Sequence, residues 1–102
     1  MTDSATKAAR ISLEGEMTIF QAATLKDQLL DALSAGDALE VDLSHVIELD
    51  TAGVQLMLML QREAHETNRE LRWTGHSHAV LHVLRLLGLD SELGEAVSIV
   101  GA

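Results

Sequence analysis

Four consecutive residues, Asp50-Thr51-Ala52-Gly53, carry the most suggestive chemistry in this chain. They stand where an alternating apolar segment passes into helical periodicity, and in open α/β sheets binding sites gather at such junctions. Asp50 or Thr51 can accept a hydrogen bond from a free amide of the helix's first turn. Gly53 has no side chain, so another backbone or a ligand can come close. The Thr51 hydroxyl would lie at the positive end of the helix dipole, a place that tolerates phosphate well. Phosphorylation there adds a charge of about −1.5 to −2 beside Asp50, and a partner docked over the turn would feel both charge and bulk. Capping alone also explains an Asp-Thr pair at a helix start, so spacing leaves cap and switch both open.

Other constellations are weaker. His78 and His82, four apart, share a helical face with a spacing usable for zinc, and His76 or a carboxylate could be a third ligand. The chain has no cysteine, and histidines near a helix start are commonplace, so no metal is expected and Ser77 reads as a helix cap. Ser77 as a nucleophile would need a base and an orienting group that sequence neighbours do not supply. Asp50 as the phosphoacceptor of a receiver-type domain would need an acidic pair after the first strand and a late lysine. Gly15-Glu16 is not such a pair, and Lys7 and Lys26 are the only lysines. No G-x-x-x-x-G-K loop is present. A small-molecule sensor stays open, although neither an aromatic cage nor a basic pocket is legible to name its ligand. The chain reads as non-enzymatic, without catalytic residues or cofactor.

The elements that must position the junction follow from periodicity. Ile11 and Leu13 alternate with Ser12 and Glu14, a half-buried strand ended by Gly15. Thr18 and Gln21 stand at capping-box spacing ahead of a helix with Ala22, Leu25, Leu29 and Leu33 on one face, and Gly36 lies just past its end. Leu39, Val41 and Leu43 make a second strand, and Val46, Ile47 and Leu49 lead to Asp50. Helical periodicity then runs to about Thr67, with Asn68 as a stop. Leu71 and Trp73 suggest a third strand. Ser77 caps a third helix with Val80, Leu81, Val83, Leu84 and Leu87, closed by Gly88. Residues 96–100 suit a short edge strand. This alternation predicts an α/β layer with parallel strands: residues 1–8 a flexible polar tail, 9–102 one domain.

In the helix after the junction, Gly53, Met57, Leu60 and Ala64 share a face, with Leu56 beside them, suited to pack on a sheet. Leu58 and Met59 point away from its centre, near Gln55 and Arg62. Apolar surface beyond the core stripe of a helix is either covered or offered to a partner. With helices on one side of the sheet, a partner is the expectation.

Sixteen acidic and seven basic residues give a formal charge of −9, which disfavours nucleic acid and anionic membrane as partners. The N-terminus has no apolar core like that of a signal peptide. The apolar run at 56–60 is far too short to span a bilayer. A soluble, cytoplasmic protein without membrane insertion is expected.

The stretch Leu43-Ser44-His45-Val46-Ile47-Glu48-Leu49-Asp50-Thr51-Ala52-Gly53 resembles the signature of STAS domains, the sulfate transporter and anti-sigma factor antagonist family. Leu13-Glu14-Gly15-Glu16 resembles the family's first-strand ending, and residues 79–87 followed by Gly88-Leu89 resemble its late helix and turn. The resemblance covers roughly residues 10–100. It implies a mixed, mostly parallel sheet of four to five strands, with helices packed chiefly on one face. It also implies bacterial partner switching, in which the unphosphorylated protein binds an anti-sigma factor that is itself a serine/threonine kinase, or another signalling kinase. Thr51 then matches the phosphoacceptor, flanked by Asp50 and Gly53, and the following helix offers Ala52, Val54, Gln55, Leu58, Met59 and Arg62 to the partner. Many family switches carry Ser followed by Ser; Thr51-Ala52 departs from this, so the acceptor is Thr51 or none. Thr followed by a small residue also resembles STAS subunits of lipid-transport ABC systems, which bind an ATPase and need no phosphorylation. Glu14-Gly15-Glu16-Met17-Thr18-Ile19-Phe20 and the stretch Asp50 to Gln55 resemble small STAS proteins encoded beside chemotaxis kinases. A monomer or weak homodimer is expected.

Overall fold

Two long alternating segments and one short one build the sheet: β1 (Ala8–Met17), β2 (Ala38–Leu49) and β3 (Glu70–Thr74). The structure, a computed structural model, describes residues 8–95. The strands lie in the order β1-β2-β3, and both pairings are parallel. Parallel neighbours cannot be joined by a tight hairpin and need crossover connections, here the helices α1 (Ala22–Ser34) and α2 (Thr51–Glu66). Because the sheet grows in one direction and such crossovers are right-handed, both helices cover the same face. On that face Leu39, Val41 and Leu43 of β2 are buried beside Leu13 of β1 and Trp73 of β3. The opposite face is polar: Arg10 pairs with Glu40 at 3.2 Å and with Asp42 at 3.6 Å, and the Ser12 hydroxyl donates to Asp42.

The helices complete one core. Leu29 and Leu33 come from α1; Val54, Leu56, Met57, Leu60 and Ala64 from α2; Val80 and Leu84 from α3 (His78–Leu86); and Leu93 from the short α4 (Asp90–Leu93). Burial of each large aliphatic side chain contributes about 1.5–3 kcal/mol before the cost of ordering the chain.

Several expectations change. Among the described residues the sheet has three strands, not four to five, and no antiparallel pair. The strand expected at 96–100 lies outside the described residues. Ala8, placed in the tail by the sequence reading, already pairs with Ala38. Gly15 does not end β1. It takes a left-handed conformation (φ 81°) where the register slips between Ser12 and Glu14 and again between Gly15 and Glu16, so the strand bulges and continues to Met17. The slip lets residues four apart on β1, Leu13 and Met17, and three apart on β2, Val46 and Leu49, all reach the core.

Helix α1 starts one turn later than the Thr18–Gln21 spacing suggested. Gln21 Oε1 accepts from both the Thr18 amide and its hydroxyl, which closes a turn ahead of the helix instead of capping it. Gly36 is not left-handed; its carbonyl accepts from Arg69 Nε at 3.0 Å. Asn68 and Gly88 do take left-handed conformations just past α2 and α3.

Candidate functional site

Helix α2 begins at Thr51, and Asp50 is its cap. With an extended backbone, Asp50 accepts the Gly53 amide on Oδ1 at 3.0 Å, while its carbonyl accepts the Val54 amide at 3.0 Å. Its second carboxylate oxygen accepts the Ile19 amide at 3.0 Å, and the Asp50 amide donates to the Met17 carbonyl. One carboxylate therefore closes the first turn of α2 and anchors the loop between β1 and α1. These amides hold the Asp50 carboxyl below the usual carboxylate range. The Gly53 amide has the largest effect; partial desolvation opposes it, and the Ile19 and Ala52 amides reinforce it.

Gly53 is required for a reason internal to the fold. A Cβ there would collide with the Met17 carbonyl oxygen and lie 2.6 Å from Leu49 Cδ1. The close approach foreseen for a backbone or a ligand is made by the end of β1.

Thr51 occupies the first position of α2 and is exposed, and its hydroxyl has no hydrogen-bond partner among the described residues. The cap that spacing left open between Asp50 and Thr51 thus falls to Asp50, and the Thr51 hydroxyl faces solvent. Beside it runs a groove of about 350 Å³ between α1 and α2, lined by Ala23 and Lys26 on one helix and by Ala52, Gln55 and Met59 on the other. In the turn just before α1, tied to Asp50 through the Ile19 amide, Ile19 is 68% exposed and Phe20 88%.

The residues expected on the partner surface do not stay together. Ala52, Gln55 and Met59 share this groove with Thr51 at its end. Leu58 and Arg62 line a different cleft, on the opposite flank of α2. Val54 is only 3% exposed and packs in the core, so it offers no contact surface. The inward stripe of α2 includes Leu56 as periodicity indicated, and it is broader by Val54 because the helix packs on the sheet and beside other helices at once. Conversely, Ile19, Phe20, Ala23 and Lys26 join the site although the sequence reading did not single them out. The signal was an Ile-Phe pair set between Thr18 and Gln21, in a turn too short to carry both side chains inward.

On α3, His78 and His82 are exposed, and among the described residues no three His, Asp or Glu side chains are grouped to hold a metal ion. The Ser77 hydroxyl accepts the Val80 amide as a helix cap. Among the described residues no helix is long and apolar enough to cross a membrane.

A one-sided parallel β/α layer, with an Asp-capped helix presenting a free threonine at its start, defines a small domain of the STAS class. The chain matches the family described as Mlab, STAS domain over residues 1–100, and it belongs to that family. No curated protein matches it in sequence. Among solved structures, it is similar to the anti-sigma factor antagonist SpoIIAA in its unphosphorylated form, with a TM-score of 0.70 at 20% identity, covering 97% of this chain and 89% of that one. It is similar to an anti-sigma factor antagonist from Mycobacterium paratuberculosis, with a TM-score of 0.70 at 22% identity over 89% of this chain and 79% of the other. The STAS domain of a SulP transporter from Vibrio cholerae gives a TM-score of 0.63 at 19% identity, over 92% and 72%. At these identities the likeness is one of fold.

Proposed function

We infer that this chain works in the cytoplasm as an anti-sigma factor antagonist, binding a serine/threonine-kinase-type anti-sigma factor through the Thr51 turn and the α1–α2 groove. Phosphorylation of Thr51 is the release signal. The observation that carries this reading is the Thr51 hydroxyl, exposed at the start of α2 without a hydrogen-bond partner among the described residues. In the unmodified protein, Phe20, Ala52, Gln55 and Met59 form the docking surface, and the partner buries Phe20. A phosphate on Thr51 sets a charge of about −1.5 to −2 beside an Asp50 carboxylate already held ionised, so that surface turns strongly anionic and the complex loosens. The chain itself performs no bond-making step; the kinase supplies the chemistry. The fold likeness to two anti-sigma factor antagonists supports this reading.

The Thr51-Ala52 pair supports a second reading, because a threonine followed by a small residue resembles STAS subunits of lipid-transport ABC systems. On that reading the chain is a constitutive adaptor of an ABC ATPase complex, or of a chemotaxis-kinase complex, and Thr51 is a contact residue without modification.

Peptide mapping by mass spectrometry of the protein isolated from its native host, joined to a binding assay, separates the two. Under the switch, a single phosphate maps to Thr51, Thr51→Asp abolishes partner binding and Thr51→Ala leaves it permanently on. An unmodified Thr51 across growth conditions, with a partner still co-purifying and both variants binding, rejects the switch and leaves the adaptor.

A further inference from the structure

A cleft of about 700 Å³, larger than the α1–α2 groove, lies on the other flank of α2, against β3 and α4. Its floor is apolar: Leu58 and Ala64 of α2, Leu71 of β3 and Leu93 of α4. Its rim is cationic. Arg62 and Arg69 are two of only seven Lys and Arg residues in a chain of formal charge −9, and they stand here together with His65.

The rim is also rich in donors. Arg69 Nε donates to the Gly36 carbonyl at 3.0 Å, which ties down one N–H and leaves the terminal N–H groups without a hydrogen-bond partner among the described residues; the side chain stands between this cleft and a smaller one that holds Asp31 and Glu63. Arg62 is exposed and has no ion-pair partner among the described residues. Gln61 Oε1 is taken by the Trp73 indole N–H at 3.0 Å, so the Gln61 amide offers this space its NH₂ group. Among the described residues Glu92 is the one acidic side chain lining the cleft. Two guanidiniums and an amide donor above an aliphatic floor complement a ligand with one anionic head and a hydrocarbon tail. Charge-assisted bonds would hold the head, and loss of apolar surface from water would hold the tail.

We propose that this cleft binds an aliphatic amphiphile with a single anionic head, a carboxylate or phosphate ester on a hydrocarbon chain, independently of Thr51 and of the partner surface. The concentration of scarce positive charge over the apolar floor favours such a ligand over a neutral one.

The test titrates the full chain with decanoate and, separately, decyl phosphate, both below their micelle-forming concentrations. Decanol and acetate serve as controls. Calorimetry gives the affinity, and the emission of Trp73, the single tryptophan, reports on the cleft through its bond to Gln61. Saturable binding of decanoate or decyl phosphate, at least about tenfold tighter than decanol or acetate, is expected. The tighter of the two identifies the head group. Arg62→Gln, an exposed substitution, and Arg69→Gln should each weaken binding about tenfold, while Thr51→Asp leaves it unchanged. Should Arg69→Gln fail to fold without its bond to Gly36, Arg62→Gln alone carries the test. The proposal is overturned if neither anion binds, if decanol or acetate binds as well, or if Arg62→Gln binds like the parent. It is also overturned if an acidic amphipathic peptide occupies the cleft while decanoate does not.

Discussion

Asp50 and Ile19, 31 positions apart, are joined by a 3.0 Å hydrogen bond from the Ile19 amide to the second carboxylate oxygen of Asp50. The first oxygen of the same carboxylate caps α2 through Gly53. The helix that starts with Thr51 and the turn that presents Phe20 are thereby set by one side chain. Both halves of the proposed docking surface move together if it is lost.

Asp50→Ala should cost about 0.5–2 kcal/mol for the lost cap, with a further part for the freed Ile19 amide. Asp50→Asn keeps one acceptor oxygen and should lose less. Urea denaturation of the two variants checks the order; an Asp50→Ala variant as stable as the parent would show that the cap contributes nothing.

Gly53→Ala should be more harmful than its size suggests. The added methyl meets the Met17 carbonyl oxygen and Leu49 Cδ1 at 2.6 Å. The Met17 carbonyl is backbone at the end of a strand and cannot swing aside. Overpacking of this kind costs about 1–3 kcal/mol, and the start of α2 must shift to relieve it. Calorimetric unfolding together with partner affinity is the measurement: both should fall for Gly53→Ala, and neither for Thr51→Ala.

Phe20→Ala should separate binding from folding. At 88% exposure the ring contributes little to the core, so stability should change by less than about 0.5 kcal/mol. As an anchor in a partner's pocket it should account for about 2 kcal/mol or more of affinity. Isothermal titration against the isolated partner reads this directly, and an unchanged affinity would move the docking surface away from the turn before α1.

Acid should destabilise the protein through two identified carboxylates. Asp50 lies below its ordinary value of 3.8, chiefly through the Gly53 amide. Asp42 does so chiefly through the Ser44 backbone amide, then the Ser44 hydroxyl, with Arg10 and Ser12 adding to it. A carboxyl that is more acidic folded than unfolded gives its full stabilisation above 3.8, and loses it as pH falls from there through the folded value. Stability measured by urea titration should therefore drop below about pH 4. The Asp42→Asn, Asp50→Asn pair should flatten that drop; an unchanged acid slope would assign it to other carboxyls.

Much of this was legible in residue order. The alternation at Leu39, Val41 and Leu43, the helical stripe of α2 and the Asp50-Thr51-Ala52-Gly53 junction are local patterns, because each depends on a repeat of two or 3.6 residues along the chain. Those patterns determined the three strands within the described residues, the three main helices and the location of the Thr51 turn. The choice of Asp50 over Thr51 as cap was not local: it depends on the loop at Ile19, which also takes up Asp50's second oxygen and which only the β1–β2 pairing brings near. Likewise, that Gly53 answers to the Met17 carbonyl, that Val54 turns inward, and that Leu58 and Met59 line different clefts depend on what packs against each side of α2. The cationic cleft is the clearest case. Arg62 and Arg69 are scattered single charges in the sequence, and they become neighbours over an apolar floor only because β3 and α4 close against α2. Periodicity states which way a residue points along its own element; what it meets there is decided by the elements that the fold brings across from it.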